Sequence, residues 1–454
     1  MNNFVELAVA GIFVVGYFAI ALEHRLHLNK AASALMTGIL CWTLYALNAH
    51  QSIPQDQIPS WFAESLGGES GSHDLVRAWL LERQLGVGLG EIAGVLFFLL
   101  GAMTIVEVVD AFEGFQVITT RINTTSRRKL LWVVSILTFF LSTVLDNLTT
   151  TIVMVALVRK LVKDQPTRWM LAGMIVCAAN AGGAWTVIGD VTTTMLWIKN
   201  KISPVHVMSE LFLPSIACLL APLVVSSFLM KGNVERPNEN DSHANGKTIP
   251  RHLQVFVLVA GFLGLLSVPF FKMITHLPPF MGILLSLSVV WIAAELARGR
   301  LDDRSRSSTH ILDILRKVDT SSILFFLGIL LAINCLSSMG MLTKIAHALD
   351  QTVGNESVIC VVIGLVSSIV DNVPLVAAGI EMYPHEMDNP FWVFLAYCTG
   401  TGGSCLIIGS AAGVAAMGLE HIDFMWYLKR ISPIALLGYL AGVGVHLMMK
   451  SLGF

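Results

Sequence analysis

The sequence predicts an all-α polytopic membrane protein made of two inverted repeats, with about ten transmembrane helices, two re-entrant hairpins and two discontinuous helices. Three observations predict it. Of 454 residues, 55% are hydrophobic and only 13% charged, where soluble domains carry about 25% charge. Apolar runs of the ~17–25 residues that cross a bilayer recur along the chain. A short charged signature occurs twice: Ser142-Thr143-Val144-Leu145-Asp146-Asn147-Leu148 returns 225 positions later as Ser367-Ser368-Ile369-Val370-Asp371-Asn372-Val373. Both copies lie in strongly apolar stretches, where an ionisable side chain is costly and marks function by default.

The first repeat, 1–230, has spans near 4–22, 31–48, 89–112 and 206–230, with a discontinuous helix over 169–198. The first run ends in Ala19-Ile20-Ala21, like a cleavage site, but no Lys or Arg precedes it, so it reads as a retained helix rather than a signal peptide. Signature segment 130–162 holds two short helices meeting at an Asp-Asn tip and is too short for two crossings. A re-entrant hairpin fits, because irregular backbone survives at membrane depth only where protein or water covers it. Residues 231–251 are polar and turn-rich, the linker between repeats. The second repeat, 252–454, has spans near 253–274, 280–297, 320–342 and 431–449, a hairpin over 355–383 and a discontinuous helix over 391–417.

Other echoes support the duplication. Phe97-Phe98-Leu99 matches Phe325-Phe326-Leu327, and Ile188-Gly189 matches Ile408-Gly409, the offset drifting from 228 to 225 to 220 as small deletions would produce. Each tip is followed by a Gly-Gly pair in an apolar stretch, Gly182-Gly183 and Gly402-Gly403, read as helix breaks. Five crossings per repeat is an odd number, so the second must be inverted. That topology puts 22 of the 29 Lys and Arg on one side and 7 on the other, which makes the rich side cytoplasmic. The linker is then cytoplasmic, both termini face outward, hairpin one opens from the cytoplasm and hairpin two from outside.

Two tips and two broken helices converging near the midplane is how many secondary transporters build a binding site. Half-helix ends present unpaired carbonyls and N–H groups. With the carboxylates of Asp146 and Asp371 and the oxygens of Asn147, Asn372, Asn180, Thr186, Ser367, Ser404 and the Thr192-Thr193-Thr194 run, they suit a small hard cation such as Na+. Burial disfavours a charged carboxylate, and a nearby cation or helix N-terminus favours it. Where these balance near neutrality, Na+ and H+ compete for one site. Asp190 is a third carboxylate, whose counterpart in the second repeat is Ser410; Glu91, Glu107 and Asp110 are weaker acidic candidates in the third span. Each motif also has a purely structural reading. A tip Asp N-caps the helix after it; Gly-Gly pairs, Asn180, Ser404 and Thr192 serve helix packing or interhelical hydrogen bonds.

Other classes are not supported. Net charge is −2, with no basic surplus for nucleic acid, and the seven cysteines sit in apolar spans without metal-ligand spacing. His385-Glu386-Met387-Asp388-Asn389 begins like a zinc motif but lacks the second His. No Walker loop, dinucleotide fingerprint or nucleophile elbow occurs, so neither an enzyme nor a cofactor is predicted, nor any metal beyond a transported Na+.

At these residues the chain resembles the NhaD-type sodium/proton antiporters, within the superfamily that also holds arsenite, citrate and dicarboxylate carriers. The resemblance is carried by Ser142–Thr151, by Asn180-Ala181-Gly182-Gly183-Ala184-Trp185-Thr186-Val187-Ile188-Gly189-Asp190-Val191-Thr192-Thr193, by Ser367–Pro374 and by Gly402-Gly403-Ser404. It implies electrogenic Na+(Li+)/H+ exchange, Na+ extrusion and activity at alkaline pH in a bacterial inner membrane. It implies ion-pathway roles for Asp146, Asn147, Asp190, Thr192, Thr193, Asp371 and Asn372, with Glu91 matching a family acidic residue. The superfamily further suggests a homodimer and an elevator-like movement of the hairpins. The alternatives are a Na+-coupled anion symporter, against which the Asp at both tips argues, and a non-transporting membrane sensor or assembly subunit.

Overall fold

The computed structural model describes residues 3–21, 28–53, 58–65, 72–119, 124–235, 249–301, 306, 309–369 and 372–452. The principal helices, in chain order, are α1 (Asn3–Ala21), α2 (Lys30–Leu47), α3 (Val87–Ala111), α4 (Arg127–Ser142), α5 (Asn147–Leu161), α6 (Gln165–Ala184), α7 (Val191–Ile198), α8 (Pro204–Leu229), α9 (Arg251–Thr275), α10 (Pro279–Arg298), α11 (Thr320–Ser338), α12 (Met341–Val353), α13 (Glu356–Val366), α14 (Asn372–Met382), α15 (Pro390–Gly402), α16 (Ala411–Glu420), α17 (Phe424–Arg430) and α18 (Ser432–Leu452). Among the described residues the fold is all-α, its one β feature an isolated bridge between Ser126 and Asn233.

Seven of the described helices are long and apolar enough to cross a membrane, or eight if the bent pair Met341–Val353 and Glu356–Val366 is one span. The sequence predicts about ten. The two discontinuous spans account for part of the difference, since each is divided between two helices, and the Phe4–Ile20 stretch is apolar but shorter. Two further departures have local causes. The third span is the end of a helical run, His73–Ala111, that includes a π-helical stretch over Trp79–Gly86. A helix, α12, stands where a loop is expected after α11. Gly340, at φ 67°, turns the chain out of α11 and starts it, and α12 buries Leu342 and Ala346 on one face. Linker residues 236–248 lie outside the described residues.

The chain divides into two compact units, and each draws on both halves of the sequence. One is Met1–Phe97, Asp319–Gly354 and Ala377–Pro384. In it α2 packs on α11 with backbones in close approach at Gly38 and Gly328, and Trp42 Nε1 donates to the Leu331 carbonyl at 2.9 Å. Small residues at a helix crossing are how membrane helices come close enough for dispersion contacts. The other unit is Phe98–Val318, Asn355–Val376 and His385–Phe454. It contains α4 and α5, which bracket the first tip, α13, which leads to the second, and the broken pairs α6–α7 and α15–α16.

In this second unit the Gly-Gly pairs lie at the ends of α6 and α15, and the breaks follow them. They also set helix packing. A Cβ at Gly182 would collide with the Phe139 carbonyl of α4, and one at Gly402 with the Gly364 carbonyl of α13. Backbone cannot retreat as a flexible side chain can. Gly182→Ala and Gly402→Ala are each expected to destabilise by about 1–3 kcal/mol or more. Gly418→Ala and Gly444→Ala, where nothing lies within 4 Å of the added Cβ, should be neutral or stabilising. Thermal unfolding of the four detergent-purified variants distinguishes these outcomes; equal Tm for all four would remove the packing argument.

Helix α6 is fixed at its start by Asp164, whose side chain accepts from Thr167 N at 3.1 Å and from the Thr167 hydroxyl, with Arg127 Nη2 3.5 Å away. The Thr167 hydroxyl, first, and then the backbone N–H and the Arg127 charge hold this carboxyl below its ordinary value. A group whose folded value is depressed stabilises fully above its unfolded value and loses that contribution as pH falls through the folded one. Asp164→Ala is therefore expected to lower stability by about 1 kcal/mol at neutral pH. The gap in Tm should narrow as pH is taken below the carboxyl's unfolded value of 3.8.

Candidate functional site

The site is assembled in the second unit where each hairpin braces a broken helix. Ser142 Oγ, ending α4, donates to the Ala179 carbonyl of α6 at 2.7 Å. Ser367 Oγ, after α13, donates to the Thr399 carbonyl of α15 at 2.8 Å. The same contact is thus made twice, with the partners separated by offsets of 225 and 220. After the breaks, Asp190 N-caps α7 at φ −143°, ψ 144°, and Ser410 N-caps α16 at φ −143°, ψ 153°. The two caps share a backbone conformation and differ in side chain.

Asp190 is 1% exposed, and donors surround it. Oδ1 accepts from Thr192 N and Thr192 Oγ1, each at 2.8 Å. Oδ2 accepts from Asn147 Nδ2, at the first tip, at 2.8 Å. Asn372 Nδ2, at the second tip, lies 3.4 Å from both oxygens. The two asparagines of the repeated signature therefore meet on one carboxylate. Each contact brings a donor to an acceptor, the arrangement a carboxylate away from water requires, and the N-terminus of α7 adds its positive end.

Asn180 extends the network. Its Oδ1 accepts from Asn147 Nδ2 at 3.0 Å, and its Nδ2 donates to Ser404 Oγ at 2.9 Å and Ser410 Oγ at 3.0 Å. Tyr427 OH donates to the Ser404 carbonyl at 2.9 Å, tying α17 to the break. With their amide N–H groups turned to the carboxylate, and that of Asn147 also to Asn180, Asn147 and Asn372 have carbonyl oxygens with which to meet a cation, next to a buried negative group. Such an oxygen-rich cluster can coordinate a small hard cation.

The predicted residues divide clearly. Asn147, Asn180, Asp190, Thr192, Asn372 and Ser404 are brought together. Thr193 Oγ1 donates to the Asp190 carbonyl at 2.9 Å and shapes the turn. Ser367 is an anchor, its hydroxyl spent on Thr399. Asp146 N-caps α5, its oxygens accepting from Thr149 N at 2.8 Å and Thr149 Oγ1 at 2.7 Å. Asp371 lies outside the described residues. Glu91 and Asp110 are exposed, and Glu107 is half-buried. Glu91 belongs to the other unit.

Two participants escape the sequence reading. Ser410 is a direct partner of Asn180, and its alignment with Asp190 was the signal that could have found it. Glu420, ending α16, is buried and pairs with Arg168 Nε at 2.9 Å and Arg159 Nε at 3.2 Å. It joins the end of hairpin one to the second broken helix, and nothing in its local sequence announces this.

Residues 17–400 match the protein family described as citrate transporter. The chain is 43% identical to sodium/proton antiporter 1 of Arabidopsis thaliana over 99% of this chain and 73% of that protein. It is 40% identical to sodium/proton antiporter 2 of the same plant, over 98% and 99%. It is 31% identical to the Na(+)/H(+) antiporter NhaD of Vibrio cholerae, over 98% and 91%. The apolar helices and this kinship make it a multi-pass membrane protein of a transporter family. The chain belongs to the citrate transporter family, on its NhaD-type sodium/proton antiporter branch.

Proposed function

We propose that the chain is a secondary active Na+/H+ antiporter, exchanging cytoplasmic Na+ for external H+ by alternating access. The observation that carries the reading is the buried carboxylate of Asp190 held between the two tip asparagines, in a chain whose relatives are named sodium/proton antiporters. A carboxylate that binds a cation or a proton in turn is the minimum chemistry of such exchange, and a deeply buried one in an apolar protein requires a functional reason. Asp190 is central in this reading, with Asn147, Asn372 and Asn180 as its orienting shell. Asp146 and Asp371 belong to the two tips and share the proton or cation load. Two carboxylates releasing protons per Na+ would make the cycle electrogenic. Li+ is the natural second substrate, and the excess of Lys and Arg supports a cytoplasmic linker with both termini outside, in an inner membrane. A homodimer is part of the same proposal.

The anion symporter is disfavoured by the same geometry. An anion needs helix N-termini and donors facing it, whereas here the donors are engaged by the protein's own carboxylate.

In everted vesicles from cells lacking their own antiporters, Na+ is expected to collapse a preformed pH gradient. Asp190→Asn should abolish the collapse. Asn180→Ala should weaken the apparent Na+ affinity roughly 10–100-fold, the cost of removing groups that orient ion ligands. Full activity in Asp190→Asn would overturn the central role of this residue. Absence of any Na+- or Li+-dependent collapse in the wild type, together with citrate uptake, would replace the antiporter with the symporter.

A further inference from the structure

We propose that a small cavity at the end of α18 binds the phosphate–primary-ammonium headgroup of an ethanolamine phospholipid. The cavity measures about 240 Å³, below the ~300–1,000 Å³ of pockets that take drug-sized ligands. It lies wholly in the second unit, between the first turns of α13 and α15 and the last turns of α18, apart from the Asp190 cluster's own residues.

Cys360, Phe391, Phe394 and His446 line the cavity, together with the polar residues Ser357 and Asn389. His446 is 4% exposed and stacks on Phe394 at 4.4 Å and 7°. Its Nδ1 has no hydrogen-bond partner among the described residues. A buried polar atom without a partner carries a desolvation penalty of about 1–3 kcal/mol, so a group donating to or accepting from this ring relieves a penalty already present.

The rim carries charges of opposite sign. Glu356 and Lys450 both line the mouth and both are exposed. The phosphate suits Lys450; the first N–H groups of α13 and α15 are taken by the cap side chains of Asn355 and Asn389, so these helices add only the positive ends of their dipoles. The ammonium suits Glu356, an exposed carboxylate of which Oε1 is 3.1 Å from His385 Nε2. A primary ammonium can donate hydrogen bonds to this carboxylate, and a choline headgroup cannot. The location agrees with a lipid, because a basic residue in the last turn of an apolar span stands at headgroup level.

Native mass spectrometry of the full chain, extracted in mild detergent and offered equal amounts of phosphatidylethanolamine, phosphatidylcholine and phosphatidylglycerol, tests this. Preferential retention of phosphatidylethanolamine is expected. Glu356→Gln and Lys450→Gln, both at exposed positions, should each lower that retention roughly tenfold with Tm unchanged. His446→Phe, which keeps the stack, should lower it as well. No preference among the three lipids, or a preference that survives the Glu356→Gln/Lys450→Gln pair, overturns the proposal. Saturable binding of free phosphoethanolamine without retained lipid would keep the chemistry and overturn the lipid as its source.

Discussion

The architecture of the second unit depends on one constraint: a carboxylate buried in an apolar protein must be met by donors. At a helix centre in a bilayer an Asp costs about 2.5–3.5 kcal/mol on insertion scales. Here the Asp190 carboxylate sits at a helix N-terminus and receives a backbone N–H, a hydroxyl and two amides. Those amides come from the tips of two hairpins far apart in sequence, so satisfying one side chain requires both hairpins to reach the same point. The glycine contacts at Gly182 and Gly402 follow from that requirement, because a hairpin reaches the site only if its first helix lies directly on the backbone of the broken helix.

Much of this was legible in the sequence. The Gly-Gly pairs mark where α6 and α15 end, and Asp146-Asn147 marks where α5 begins, since polar punctuation inside an apolar run has few structural meanings. Asn147, Asn180, Asn372 and Asp190 were all recognisable as candidates. Their mutual contacts were not. The duplicated Asp draws attention by repetition, while Asp190 occurs once, and the contacts of Asp146 and Asp190 are decided by side-chain direction at their caps. In hairpin one the Asp146 oxygens are turned to Thr149, a local contact that a linear pattern allows but does not require. The pairing of Glu420 with two arginines from the other end of the unit is a long-range contact, and no local pattern encodes it.

Asn180 gives the cluster its connectivity. One amide group accepts from the first tip and donates to two serines at the second break. Because its hydrogen-bonding groups on both sides are engaged, displacement of one broken helix relative to the other would leave buried donors unmet. The two broken helices and the first tip are therefore coupled, and a movement that preserves these bonds carries them together.

The two N-caps, Asp190 and Ser410, have nearly identical backbone conformations and hold equivalent places against their hairpins. One carries a charge and the other a hydroxyl. Two caps can thus share a shape while differing in electrical content, because a cap needs only an acceptor oxygen and is indifferent to whether that oxygen is ionic. The consequence is a molecule with an electrical polarity its backbone lacks: the negative charge lies at the first-half break alone, and its place was decided by a single residue rather than by the fold.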